Sequence, residues 1–145
     1  MTSKISRRRE TASMSRKPQP KTKLLPMAPA LCRRISMDNH LTLEVLHSRA
    51  AGKCHFVSLA QAMYITRFLC EAGYGVARDG LFCEADEAIV RRHGTAVDTG
   101  VWQVDGEAYA LLCEVLTLHD QQLAITPVFE LLRANDRLQK LGTQG

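Results

Sequence analysis

The side chains of this 145-residue chain best suited to chemistry are five cysteines and five histidines. Cys54-His55, with Cys70 and Cys83, offers metal-ligand atoms. Zinc sites, however, use paired ligands at CxxC or HxxxH spacing, because one turn must present both atoms to one ion. No such pair occurs, so neither a metal nor a cofactor is expected. A thiol nucleophile needs a base within hydrogen-bond reach. Cys113 and His119 lie six apart on one predicted helix and so project from different faces. His40 and His47, seven apart, read as part of a solvated polar face. Glu84, Asp86 and Glu87 open a predicted helix, where carboxylates favour the dipole; this accounts for them without acid–base catalysis. Gly73-Tyr74-Gly75 lacks the preceding strand that a dinucleotide fingerprint requires. The expectation is a protein without catalytic residues, not an enzyme.

The residues that do suggest a function are cations. Arg7, Arg8, Arg9, Arg16, Lys17, Lys21 and Lys23 can each neutralise a phosphate and release counterions, binding that would be sequence-independent and salt-sensitive. They are the candidate nucleic-acid-binding residues. Up to Arg34 there are ten Lys/Arg against Glu10 alone, a net +9; the rest has nine against fourteen Asp/Glu, a net −5. The chain's +4 therefore describes the arm and misdescribes the body. Such asymmetry points to a polyanion-binding segment, DNA or RNA. A solubilising tail and an organelle-targeting segment are the competing readings. The acid-poor composition fits targeting, but prolines break the amphipathic helix that it needs.

Residues 1 to about 23 hold little to bury and should be disordered. Pro18, Pro20, Pro26 and Pro29 favour extended chain, and Leu24, Leu25, Met27 and Leu31 are placed to strap it to the body. Helical periodicity then predicts a helix over 39–51, started by Asp38 or Asn39 and stopped by Gly52. A second helix, over 55–72, is apolar most of the way round and so central. The third covers 80–98, capped by Asp79 and weakened at Gly94. Trp102 lies in a short extended linker. A fourth helix, capped by Asp105, covers 106–125, and a fifth continues from Thr126-Pro127, an N-cap followed by proline at N1, to about 141. The fold class is all-α: a compact bundle of four or five helices (37–145) behind a disordered basic N-terminal arm (1–36). No apolar run approaches the roughly 20 residues that span a bilayer. An odd cysteine count without CxxC reads as reduced thiols, so a cytoplasmic location is expected.

The block His55 to Gly75 (HFVSLAQAMYITRFLCEAGYG) resembles a group of small bacterial proteins that carry the label Fis-family transcriptional regulator. The Ser-Arg-Lys-rich start at Met14, the Leu24-Leu25 segment and the closing Arg133-Ala134-Asn135-Asp136-Arg137-Leu138 share the likeness, which extends over 14–141. The resemblance implies a helical dimer that binds and bends DNA through a C-terminal helix-turn-helix. The closing segment departs from that pattern: Glu130 and Asp136 stand among Arg133, Arg137 and Lys140, and the preceding turn is Ile125-Thr126-Pro127. A recognition helix presents several base-reading side chains on one face, and a helix-turn-helix is not evident here. The expected function is a small non-enzymatic regulatory protein, of the transcriptional-regulator kind, associated with nucleic acid through its arm. The alternative is a protein–protein interaction or self-association module, with a protein partner or a second copy and no nucleic-acid role.

Overall fold

The computed structural model describes residues 21–144, and among them the chain is all helical. One short turn, α1 (Lys21–Leu24), precedes five long helices: α2 (Pro29–His47), α3 (Lys53–Glu71), α4 (Leu81–Thr99), α5 (Gly106–Ile125) and α6 (Val128–Gln144). The largest core cluster joins Leu43 and Leu46 of α2, Met63 of α3, Ala85 of α4, and Leu112 and Val115 of α5. Each fully buried Leu or Val stabilises the fold by roughly 1.5–3 kcal/mol, so these contacts outweigh the surface ion pairs.

The helix at the centre is α5. Nine of its residues are buried, and it packs against α2, α3 and α4. The apolar pattern of α3 predicts that role for α3 instead. It buries seven residues, but one of its sides stays partly open. Flanking α3 are α4 and α6, and both run antiparallel to it: Tyr64 meets Asp86 while Phe56 meets His93, and the Phe68–Ala72 end of α3 lies beside Glu130, Arg133 and Arg137 while its Phe56–Tyr64 part lies beside Leu138 and Leu141. The backbones of α4 and α6 do not approach one another. A separate small cluster of Phe68, Leu69 and Ala134, with Leu131 and Leu138 beside it, fastens α6.

Helix α2 begins ten residues before the predicted Asn39, so much of the segment read as extended arm is helical. Pro29 occupies the first turn, where its fixed φ favours a helix and its missing amide costs nothing. The inward stripe of α2 runs through Cys32, Ile35, Asn39, Leu43 and Leu46. A polar residue in that stripe masks the periodicity. The strap to the body exists, but the side chains of Leu24 and Leu25 do not carry it. Leu24 and Leu25 are 50% and 63% exposed; the Val128 amide donates to the Leu25 carbonyl at 3.0 Å, and the Cys32 thiol donates to the Leu123 carbonyl at 3.3 Å.

Several helix ends differ from expectation. Arg49, at φ 67°, takes the left-handed position after α2, held by Gln103 at 2.9 Å. Gly52 instead starts α3, its amide donating to His55 Nδ1. Gly80 rather than Asp79 precedes α4. Asp105 pairs with Arg92 and makes no side-chain cap. Thr126 is wholly buried, its hydroxyl unpartnered among the described residues, and α6 winds from the Pro127 carbonyl.

Two glycines show how local geometry decides a substitution. Gly94 lies inside an unbroken α4 with open space around it. Gly75 has φ +95°, and a Cβ there would stand 3.2 Å from Leu118 Cδ1 and 3.3 Å from Gln122 Cγ. Urea denaturation should therefore show Gly94→Ala stabilising the fold by about 1 kcal/mol. Gly75→Ala should cost about 2 kcal/mol, from left-handed strain plus overpacking.

Candidate functional site

Arg7, Arg8, Arg9, Arg16 and Lys17 lie outside the described residues. Lys21 and Lys23 sit on α1, which packs against α6. The basic segment thus reaches the body at the joint between α5 and α6, where Pro26 and Pro127 lie side by side. Arg33 and Arg34 continue the charge onto the first turns of α2, both exposed. None of these four described cations has an ion-pair partner among the described residues.

The cations of the body behave differently. Arg78 bridges Glu84 at 2.7 Å and Glu114 at 2.8 Å, and Arg92 holds Asp105. On α6, Arg133 pairs with Glu130 at 3.2 Å. Arg137 pairs with Glu71 at 2.6 Å and lies over the Phe68 ring at 3.9 Å. A guanidinium so placed gains from both the carboxylate and the ring face. The closing helix therefore turns its arginines to its own protein.

His40 and His47 do lie on a solvated face, His47 exposed and the His40 side chain 40% exposed, and from there each also binds a neighbouring element. His40 Nε2 donates to Asp120 of α5 at 2.8 Å. His47 stacks on Tyr109, ring centroids 4.2 Å apart, and donates from Nδ1 to the Val104 carbonyl. Tyr109 in turn donates to Glu44, a hydrogen bond that pushes the phenol pKa well up. Between α3 and α4, Tyr64 donates to Asp86 at 2.6 Å; burial and that bond push its pKa to about 12. These bonds tie α2 to α5 and α3 to α4.

Gln122, fully buried on α5, is the polar centre that sequence reasoning missed. Its amide donates to the Thr66 carbonyl at 2.9 Å and the Tyr74 carbonyl at 3.0 Å, and also reaches Cys70 Sγ at 3.2 Å. Its carbonyl accepts from His119 Nδ1 at 3.3 Å. Burial raises the Cys70 thiol pKa, so it stays a neutral packing group. Burial likewise lowers that of His119, against opposing pulls from Gln122 and Asp120. Cys113 and His119 do not converge, the first partly exposed and the second buried. No group of three His, Cys, Asp or Glu among the described residues is placed to hold a metal ion.

An apolar trough of about 540 Å³ runs along α3. Its floor is Phe56, Val57, Ala60 and Tyr64; Ile89, Val90 and His93 of α4 form one wall, and Leu138 and Leu141 of α6 the other. No Lys, Arg, Asp or Glu lines it. Its sequence signal was the width of the apolar face of α3, which exceeds what one core can cover. No protein-family model, no curated protein and no solved structure matches the chain.

The buried imidazole sets a pH dependence. Free histidine titrates near 6.5, and the folded value lies lower, so between the two the unfolded chain binds a proton that the native state refuses. Stability is fully present above about pH 6.5 and falls as pH drops below it, by at most about 1.4 kcal/mol per pH unit. Urea midpoints measured from pH 7 to 5 should fall in the parent, and fall less in His119→Gln.

Proposed function

We propose that the chain is a small non-catalytic regulatory protein of the cytoplasm that holds nucleic acid through its basic N-terminal segment. The observation that carries this reading is the division of ion pairing. The described cations before residue 35 have no carboxylate partner among the described residues, whereas at least five of the nine body arginines and lysines do. A cation already paired must break that contact before it can neutralise a phosphate; an unpaired one releases counterions at no such cost. The net −5 of the body repels the polyanion, so contact concentrates on the arm. Binding of this kind reads charge density rather than base sequence. The transcriptional-regulator label fits the reading in kind, with the arm rather than a helix-turn-helix as the contacting element.

Affinity for duplex DNA, followed by fluorescence anisotropy, should fall steeply with salt. Arg7, Arg8, Arg9, Arg16, Lys17, Lys21 and Lys23 together give a log–log slope of about −6, or a loss of more than about 10³-fold between 50 and 200 mM. Replacing all seven by Gln should abolish binding, and so should removal of residues 1–23. An affinity unchanged by both alterations would defeat the proposal.

A further inference from the structure

Cations and exposed aliphatic side chains share one end of the body. Leu24, Leu25, Leu31 and Ile125 are 50%, 63%, 45% and 55% exposed. Backbone contacts gather them at the joint between α5 and α6. Pro26 bridges Pro127, and the Leu25 carbonyl accepts from the Val128 amide. Cys32, next to Leu31, bonds the carbonyl of Leu123, two residues before Ile125. Lys21 and Lys23 enter the joint on α1, and Arg33 and Arg34 leave it on α2. These arginines stand near the N-terminal end of their helix, whose partial positive charge favours carboxylates over cations. They therefore gain nothing from the fold. No free carboxylate offsets the four cations at this end among the described residues: none precedes Asp38, Glu130 is 12% exposed and paired with Arg133, and Asp120 pairs with His40.

We infer that this end of the body docks on an anionic bilayer surface, its four aliphatic side chains entering the acyl boundary and Lys21, Lys23, Arg33 and Arg34 meeting lipid phosphates. The inference goes beyond nucleic-acid binding and does not rest on it. A duplex takes up the cations and leaves the aliphatics in water. A bilayer holds apolar depth directly beneath its anionic headgroups and accepts both. The aliphatic and cationic side chains alternate along Lys23-Leu24 and Leu31-Cys32-Arg33. A fluid interface suits that alternation, because lipids move to each side chain, and the long stems of Lys and Arg carry their charge up to headgroup level. A second copy is disfavoured by charge: a two-fold contact through this end sets the four cations against their own images. The net −5 of the residues after Arg34 turns the rest of the body away from the same surface. Attachment of this kind is peripheral, since no helix among the described residues is long and apolar enough to cross a membrane.

The test is co-sedimentation of the full chain with vesicles of phosphatidylglycerol and phosphatidylcholine, against vesicles of phosphatidylcholine alone. Binding is expected to the anionic vesicles only. Arg33→Gln with Arg34→Gln should weaken it by about 30-fold. Leu24→Gln, Leu25→Gln and Ile125→Gln together should weaken it by about ten-fold or more, yet leave the affinity for duplex DNA unchanged. The fold tolerates this triple exchange, because the three side chains stand largely in solvent and the strap bond is made by the Leu25 carbonyl; an unchanged urea midpoint checks it. Val76→Gln with Val97→Gln, at sites 92% and 65% exposed on other parts of the body, should bind vesicles like the parent. The proposal falls if the anionic vesicles are not bound or if the neutral ones are bound equally. It also falls if the triple variant binds like the parent, which would leave only phosphate neutralisation of the nucleic-acid kind. Sedimentation without vesicles in which the parent self-associates and the triple variant does not would replace the bilayer with a second copy, and overturn the proposal equally. Vesicle binding of the expected pattern by a chain that holds no DNA would uphold the proposal and defeat the nucleic-acid reading alone.

Discussion

A single buried amide governs how the helices of this protein meet. Gln122 stands on the central helix with no solvent to hydrogen-bond, and an unsatisfied amide there costs several kcal/mol. It is satisfied when the end of α3 and the turn that follows bring two carbonyls, of Thr66 and Tyr74, to the same nitrogen. Apolar contacts between α3 and α5 would tolerate sliding along either axis. The amide does not, because moving it by one residue leaves its buried N–H groups without an acceptor. Gly75 belongs to the same constraint: its turn closes so tightly over Leu118 and Gln122 that a side chain has no room. A polar residue in the most apolar helix thus fixes the register that hydrophobic burial leaves loose.

The helical class and four of the five long helices were legible in the sequence, because apolar periodicity and glycine punctuation agreed over 53–144. The start of α2 was not. Prolines and arginines around Pro29 read as arm, while Asn39 and His40 are half-buried on the inward side, and His40 finds its partner on another element, in Asp120. A stripe completed by long-range polar contacts leaves no local trace. Helix caps were misplaced for a similar reason. Asp79, Asp105 and Thr126 are good capping residues in isolation, but Asp105 is claimed by Arg92 and Thr126 by burial. Among the candidate site residues, Lys21 and Lys23 fall on a short helix. Gln122 was hidden because glutamine on a helix ordinarily reads as solvated.

The apolar trough and the basic segment stand apart in the fold. The basic segment reaches the body where α5 turns into α6, whereas the trough lies toward the far end of α6, beside Leu138 and Leu141. Between these ends α6 has little to hold it besides the Phe68 cluster and the Arg137 contacts. A helix with one buried residue, Ala134, among its described side chains is among the easier elements of a fold to displace. Whatever acts on either end of α6 acts on an element that can yield.

The strap between Leu25 and Val128 bears on how freely the chain can vary. Its bond runs from one backbone group to another, and the side chains of Leu24 and Leu25 stand largely in solvent. Any residue at position 25 supplies the same carbonyl. The composition of the preceding segment can therefore drift, gaining or losing cations, without loosening its attachment. In this protein the cation-bearing segment is anchored by the part of the chain that mutation alters least.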